Sequence, residues 1–219
     1  MIITQEERDQ ERALFESERI RVPHLFNREP MIDSDEYLRW IGIEVVPENR
    51  PLGYLRYMPQ DFIVEEVSKT KETHTIAVDS LFIAKLAEGS TYYADLVKIG
   101  ASTLDIITQL AHLLRIEEKQ IGYAGIKDRL AITSQLISIR GVENDTIFRT
   151  LDEENYFLKN IYRGKGAMAN GDLFGNRFLI TLRTTNPLSP SEKKHIEDEI
   201  KEIRQYGFWN FFYTQRFGT

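Results

Sequence analysis

The sequence predicts an α+β fold, a mixed and largely antiparallel sheet with helices packed on one face. Three observations carry this reading. Segments rich in β-branched and aromatic residues recur along the 219 residues, and several follow one another with no helix between them. One internal segment has clear helical spacing of apolar residues. A second segment, near the C-terminal end, carries a complete set of helix start and stop signals. Strands adjacent in sequence favour α+β over a parallel βαβ arrangement.

In chain order, residues 4–19 read as a charged helix with a thin apolar face of Ala13, Leu14 and Phe15. Residues 34–42 read as a short helix, with Ser34 as its cap and Tyr37, Leu38 and Trp40 apolar. Pro47, Pro51 and Gly53 then mark a connection. Residues 61–67 (DFIVEEV) read as a strand, and 73–78 and 92–99 also look extended. Ser102 and Asp105 resemble a capping box, and Ile106, Ile107, Leu110, Leu113 and Leu114 follow at helical spacing, so 103–115 is an amphipathic helix. IGYAG at 121–125 is strand-like, and 132–140 (ITSQLISIR) and 177–183 (RFLITLR) read as strands. Ser189, Pro190 and Glu192 supply a cap, a first-turn Pro and a capping-box partner. Ile196, Ile200 and Ile203 are that helix's expected buried stripe, and Gly207 ends it. The expected organisation is an N-terminal helical extension over 1–50 and the main domain over 51–219.

Composition narrows the chemistry. With no Cys, disulfides, thiol catalysis and thiolate metal sites are excluded. No apolar run approaches the roughly 18 residues of a membrane span, and the polar, acidic N-terminal segment is unlike a signal peptide; a cytoplasmic location is expected. His24, His74, His112 and His195 have no metal-ligand spacing, with His112 and His195 expected on helix surfaces. No P-loop, dinucleotide fingerprint or nucleophile elbow occurs, so neither metal nor cofactor is expected. Net charge is −6, which argues against a polyanionic partner. Its distribution argues the other way: residues 1–20 hold six acids against three bases, while 159–183 hold Lys159, Arg163, Lys165, Arg177 and Arg183 against Asp172 alone. A basic face on an acidic protein is one reading; a solvated strand and loop is the other.

Three segments stand out chemically. AGIKDRLAITSQ at 124–135 puts Lys127 and Asp128 in a turn between two strands, where a carboxylate is held rigidly yet faces a cleft, as a nucleophile or general base requires. The plainer reading is a turn-capping Asp128 beside a solvated Lys127. GNRFLITLR at 175–183 carries Asn176 and Phe178. Phe178 reads either as core or as a platform on which a nucleic-acid base stacks. GFWNFFYTQRFG at 207–218 holds five aromatics within seven residues and then Phe217, either a buried strand or a flap that packs on something else.

Together these segments resemble the TruD family of tRNA pseudouridine synthases. The family pattern AGxKDxxAxTxQ matches AGIKDRLAITSQ; GNxFxIxLR matches GNRFLITLR; NYFGxQRFG is similar to NFFYTQRFG. A fourth, PxDFxVxE preceded by a basic residue, matches LRYMPQDFIVEE, and all four stand in the family's order over residues 55–218. The resemblance implies a pseudouridine-synthase-like catalytic domain over 51–219 that isomerises uridine in tRNA, at position 13, without a cofactor. It implies Asp128 as the nucleophile that attacks the uridine, with the base flipped out of its stack to reach it. Asn176 and Phe178 match positions that hold or stack the base. Arg56 matches the basic residue near the aspartate, where a cation favours the ionised carboxylate. Lys127, Gln135 and Gln215 match motif residues that support the site. Arg129, Arg163, Lys165 and Arg216, with Phe217, are charge-based candidates for RNA contact.

Departures lie in the last motif: Phe211 replaces the usual Tyr, Tyr213 the usual Gly, and Trp209 stands where Pro is common. Family members also continue beyond QRFG through an inserted domain and back into the catalytic sheet. The expectation is therefore a partial catalytic fold with open strand edges and apolar surface. A natural short form, a fragment, and a half completed by a second copy or a second chain are the three readings of that length. A catalytically incomplete RNA-binding remnant is the functional alternative.

Overall fold

The computed structural model describes residues 5–23, 35–40, 42, 53–78, 88–142, 152–184 and 186–208. His24, Ser34, Pro47, Pro51, Trp209, Phe211, Tyr213, Gln215, Arg216 and Phe217 lie outside the described residues. Two compact units are present, interleaved in sequence: Met1–Pro30 with Leu55–Arg183, and Met31–Tyr54 with Thr184–Thr219.

The first unit holds helix α1 (Gln5–Arg21) and, in chain order, strands β2 (Phe62–Val67) and β3 (Thr91–Ile99), helix α3 (Thr103–Leu114), and strands β4 (Ile121–Tyr123), β5 (Ile132–Ile139), β6 (Asp152–Glu153), β7 (Tyr156–Gly164) and β8 (Gly175–Ile180). The second unit holds α2 (Asp35–Trp40), β1 (Gly53–Tyr54), the Thr184 end of β9 (Arg183–Thr184), which pairs with β1, and α4 (Pro190–Tyr206).

The main sheet runs β6-β7-β3-β5-β2-β8, with β4 also paired to β5. Every pairing is antiparallel except β2 with β5. Alternation sorts the side chains: Tyr92, Ala94 and Leu96 share a face with Ile137 and Ile139, and α3 covers that face with Ile106, Ile107, Leu110, Ala111 and Leu114. Ser102 starts α3 by accepting the Asp105 amide. Burying this apolar stripe, at roughly 1.5–3 kcal/mol for each large aliphatic side chain, is what holds the helix to the sheet.

Three expectations are corrected and one strand is added. Residues 73–78 form no ladder beyond a single bridge, Val67 with Thr73; the His74 amide goes to the end of β2 and the Ile76 amide to the Glu65 carboxylate. The 177–183 strand stops at Ile180, with one further ladder-like bond from the Thr181 amide to the Asp61 carbonyl, and Arg183 belongs to the separate two-residue strand Arg183–Thr184. Strand β7 was not expected at all. Its register with β3 shifts at Asn160, a left-handed residue at φ 52°, and that bulge breaks the two-residue period. On α4, both halves of the Ser189–Glu192 capping box form and Gly207 is the C-cap, but none of its residues is buried: Ile200 is 42% and Ile203 47% exposed. Spacing identifies an apolar stripe without supplying a surface to cover it.

Candidate active site

Parallel pairing sets up the site. β2 follows the edge of β5 only from Ile132 to Ser134, and β4 takes up that edge from Ile137. The Glu66 carboxylate fills the gap between them: Oε1 accepts the Leu136 amide at 3.3 Å and Oε2 lies 2.6 Å from Lys127 Nζ. Both side chains are buried, so Lys127 is an internal ion-pair partner and not the solvated lysine of the plainer sequence reading.

Asp128 sits in the loop joining β4 to β5, and buried groups fix that loop from within. The Lys127 amide donates to Thr103 Oγ1 at 3.0 Å, and Thr103 Oγ1 donates in turn to Gln135 Oε1 at 3.2 Å. Gln135 Nε2 donates to the Gly125 carbonyl at 2.9 Å. Lys98, on the core face of β3, donates from Nζ to the carbonyls of Ala101 at 2.9 Å and Asp128 at 2.8 Å, with Lys127 O at 3.4 Å. Burial pulls the Lys98 ammonium down to about 8; the Asp128 charge opposes that shift and Lys127 adds to it.

The Asp128 side chain itself is 38% exposed, with Oδ1 3.3 Å from an Arg56 guanidinium nitrogen. Arg56 has a left-handed backbone, φ 57°, a conformation that is uncommon for non-glycine residues and clusters at functional sites. The following turn is anchored by buried Asp61, whose Oδ2 accepts the Met58 amide at 3.1 Å and Arg183 Nε at 2.7 Å. The guanidinium lies over the Phe62 ring, 4.1 Å from its centroid. Phe62 meets Phe178 edge-on at 6.0 Å. Phe178 pairs with Val64 and Asn176 with Glu66, so both stand on the sheet face of Phe62. Phe178 is 52% exposed and is therefore not the core residue of the alternative reading. A half-exposed carboxylate, a paired cation, an open aromatic ring and a primary amide thus share one face, a set matched to a planar base with a polar edge. Among the described residues no three His, Asp or Glu side chains group as a metal site, and none of their helices is long and apolar enough to cross a membrane.

Residues 45–219 match the family model for tRNA pseudouridine synthase D (TruD). The chain belongs to the TruD family. It is 32% identical over 166 residues to the tRNA pseudouridine synthase D of Sulfurimonas denitrificans, a match covering 76% of this chain and 42% of that protein. It is 35% identical over 165 residues to the "Probable tRNA pseudouridine synthase D 2" of Methanocaldococcus jannaschii, covering 75% and 34%. Among solved structures, a Methanosarcina mazei protein described as "Putative tRNA pseudouridine synthase D (TruD)" superposes with a TM-score of 0.66 at 30% identity, over 85% of this chain and 40% of that one. This TruD-family chain therefore spans about two fifths of the length of such relatives.

Of the residues expected at the site, Asp128, Arg56, Lys127, Gln135, Asn176 and Phe178 gather around one loop and one sheet face. Arg129 is exposed beside Asp128. Arg163 and Lys165 stand elsewhere: Arg163 stacks on Tyr92 and donates to its hydroxyl, and Tyr92 is six residues from Lys98 along β3, roughly 20 Å away. Three of the five bases in 159–183 serve internal roles, since Lys159 is buried, Arg177 pairs with Glu65 and Arg183 with Asp61. Sequence reasoning missed Lys98, Glu66 and Thr103. For Lys98 a signal existed: two-residue alternation from Tyr92, Ala94 and Leu96 places it on the core face.

Proposed function

We propose that this chain carries the nucleophile-bearing part of a tRNA uridine isomerase, with Asp128 attacking the target uridine. The observation that supports this best is the placement of Asp128: its carboxylate is open to solvent, yet the loop beneath it is fixed by three buried side chains, Lys98, Thr103 and Gln135. Arg56 orients the carboxylate and supplies positive charge at the point of attack. Phe178 stacks on the extruded base, Asn176 reads its polar edge, and Arg129 meets the flanking phosphate; Arg163, Lys165, Arg216 and Phe217 extend the RNA contact. The glycosidic bond breaks, the uracil turns, and a bond to carbon replaces the bond to nitrogen; the proton on that carbon leaves to solvent and the freed ring nitrogen takes one up. Nothing is oxidised or reduced, so no cofactor is called for. Residues 51–219 are the partial catalytic domain, residues 1–50 its helical extension, and uridine 13 of tRNA in the cytoplasm the target.

The experiment is incubation of the purified chain with an unmodified tRNA transcript, followed by an assay for pseudouridine, with Asp128→Asn as control. Product from the parent and none from the variant is expected; product from both sinks the assignment.

A second reading has a specific observation behind it. Among the described residues β8 is an edge strand paired only to β2, with Phe178, Leu179 and Ile180 each at least 45% exposed. Such an edge suits a further strand from a second copy or a completing chain. In that case the chain alone binds tRNA, more weakly as salt rises, and isomerises only when the partner is supplied. A strictly monomeric chain that turns over by itself rules this reading out.

A further inference from the structure

Lysine is rarely buried without a carboxylate partner, and Lys98 is 1% exposed. Its hydrogen bonds all run to main-chain carbonyls: Ala101, where the chain turns from β3 into α3, and Lys127 and Asp128 in the β4–β5 loop. One ammonium therefore ties the start of α3 to the peptide that carries the proposed nucleophile. A hydrophobic side chain at this core-facing position would pack more cheaply, and a neutral amide would not span three carbonyls. The neighbouring charges are arranged to tolerate the cation. Lys127 is matched by Glu66, and Asp128 is the one acid acting on Lys98. Tyr156, its register partner on β7, is pushed by burial up to about 12 and stays neutral.

We infer that Lys98 is a positioning residue for the Asp128 nucleophile, acting through the backbone of residues 127–128 and touching no substrate. The inference rests on the proposed role of Asp128, and the two are tested separately. It also explains a strand lysine that the sequence motifs around Asp128 do not include. A cation pulled down to about 8 by burial loses charge in the mildly alkaline range, which weakens the same hydrogen bonds.

The test compares the parent chain, Lys98→Met and Asp128→Asn. The reporter is amide exchange at Lys127, whose N–H is held by Thr103, against core amides of β3 and β5. In Lys98→Met the Lys127 amide is expected to exchange about 10- to 100-fold faster, the change that losing a charge-assisted bond brings, with the core amides unchanged. Should Lys98→Met fail to fold, the parent itself is read at about pH 7 and about pH 9, each corrected for intrinsic exchange; selective loosening at Lys127 as Lys98 deprotonates is then expected. In single turnover on tRNA, Lys98→Met should lower the rate and leave RNA affinity unaltered, and the parent rate should fall above about pH 8. Unchanged exchange at Lys127, whatever the activity, overturns the inference. An active Asp128→Asn removes the nucleophile reading but leaves the exchange result to decide the loop's dependence on Lys98.

Discussion

The Glu66–Lys127 pair gives the sharpest quantitative prediction. The two side chains are 1% and 4% exposed, and their charged atoms are 2.6 Å apart. The screening that leaves surface pairs near zero to 1 kcal/mol does not operate at that burial. Replacing Lys127 by Met strands the Glu66 carboxylate between β2 and β4; replacing Glu66 by Gln strands the ammonium. Each single change should cost about 3–5 kcal/mol. For a chain of this size that is a fall in melting temperature of roughly 6–20 °C. The double variant E66Q/K127M removes both charges and keeps an acceptor for the Leu136 amide, so its cost should lie well below the sum of the singles. A coupling of about 2 kcal/mol or more is expected from the cycle. Urea unfolding of the four proteins, followed by circular dichroism at neutral pH, measures it. Singles that cost less than about 1 kcal/mol, or a double equal to their sum, would refute the placement of this pair in the interior.

Other perturbations read other parts of the structure. Phe178→Ala should cost no more than about 1.5 kcal/mol of stability, the scale of one aromatic edge contact, yet weaken single-stranded or tRNA binding roughly 5- to 150-fold; a binding assay that finds no change removes the ring from the interface. Gly122→Ala should destabilise by about 1–3 kcal/mol, because an added Cβ would stand 2.3 Å from the Met168 carbonyl oxygen and 2.7 Å from Ser138 Oγ; a neutral change in a melting experiment would contradict the close approach there. Burial lowers His74, but the hydrogen bond and charge of Asp95, with Glu66 and Glu72 nearby, outweigh it and raise the imidazole above its ordinary 6.5. A raised folded value contributes stability that is fully present below 6.5 and is lost as pH climbs from there through the raised value, so the urea midpoint should fall as pH rises above 6.5 and Asp95→Asn should flatten the dependence. A midpoint that rises over that range, with Asp95→Asn no different, would contradict it.

Regular alternation and helical spacing made β2, β3, β5 and α3 readable from sequence, and the Ser102 and Ser189 caps marked the starts of α3 and α4. β7 escaped because a left-handed Asn160 and a buried Lys159 interrupt its pattern; a bulge answers to the strand beside it, which local propensity does not register. The exposed stripe on α4 shows the same limit from the other side. At the site, motif residues pointed to Asp128, Arg56, Asn176 and Phe178. The charges beneath them were less legible, since Glu66 and Lys127 join only where β2 and β4 share an edge of β5, a contact made by topology.

The central claim is that the Asp128 carboxylate performs the chemistry and not merely the binding. Isomerisation to a carbon-linked uracil releases the proton from that carbon, so tritium release from tRNA labelled at C5 of uridine follows the bond change itself. Measured in single turnover alongside tRNA affinity, with any completing partner present, Asp128→Asn should bind RNA within a few-fold of the parent and release no tritium above background. Release by Asp128→Asn within about tenfold of the parent rate, a barrier change of only about 1.4 kcal/mol, would contradict the account.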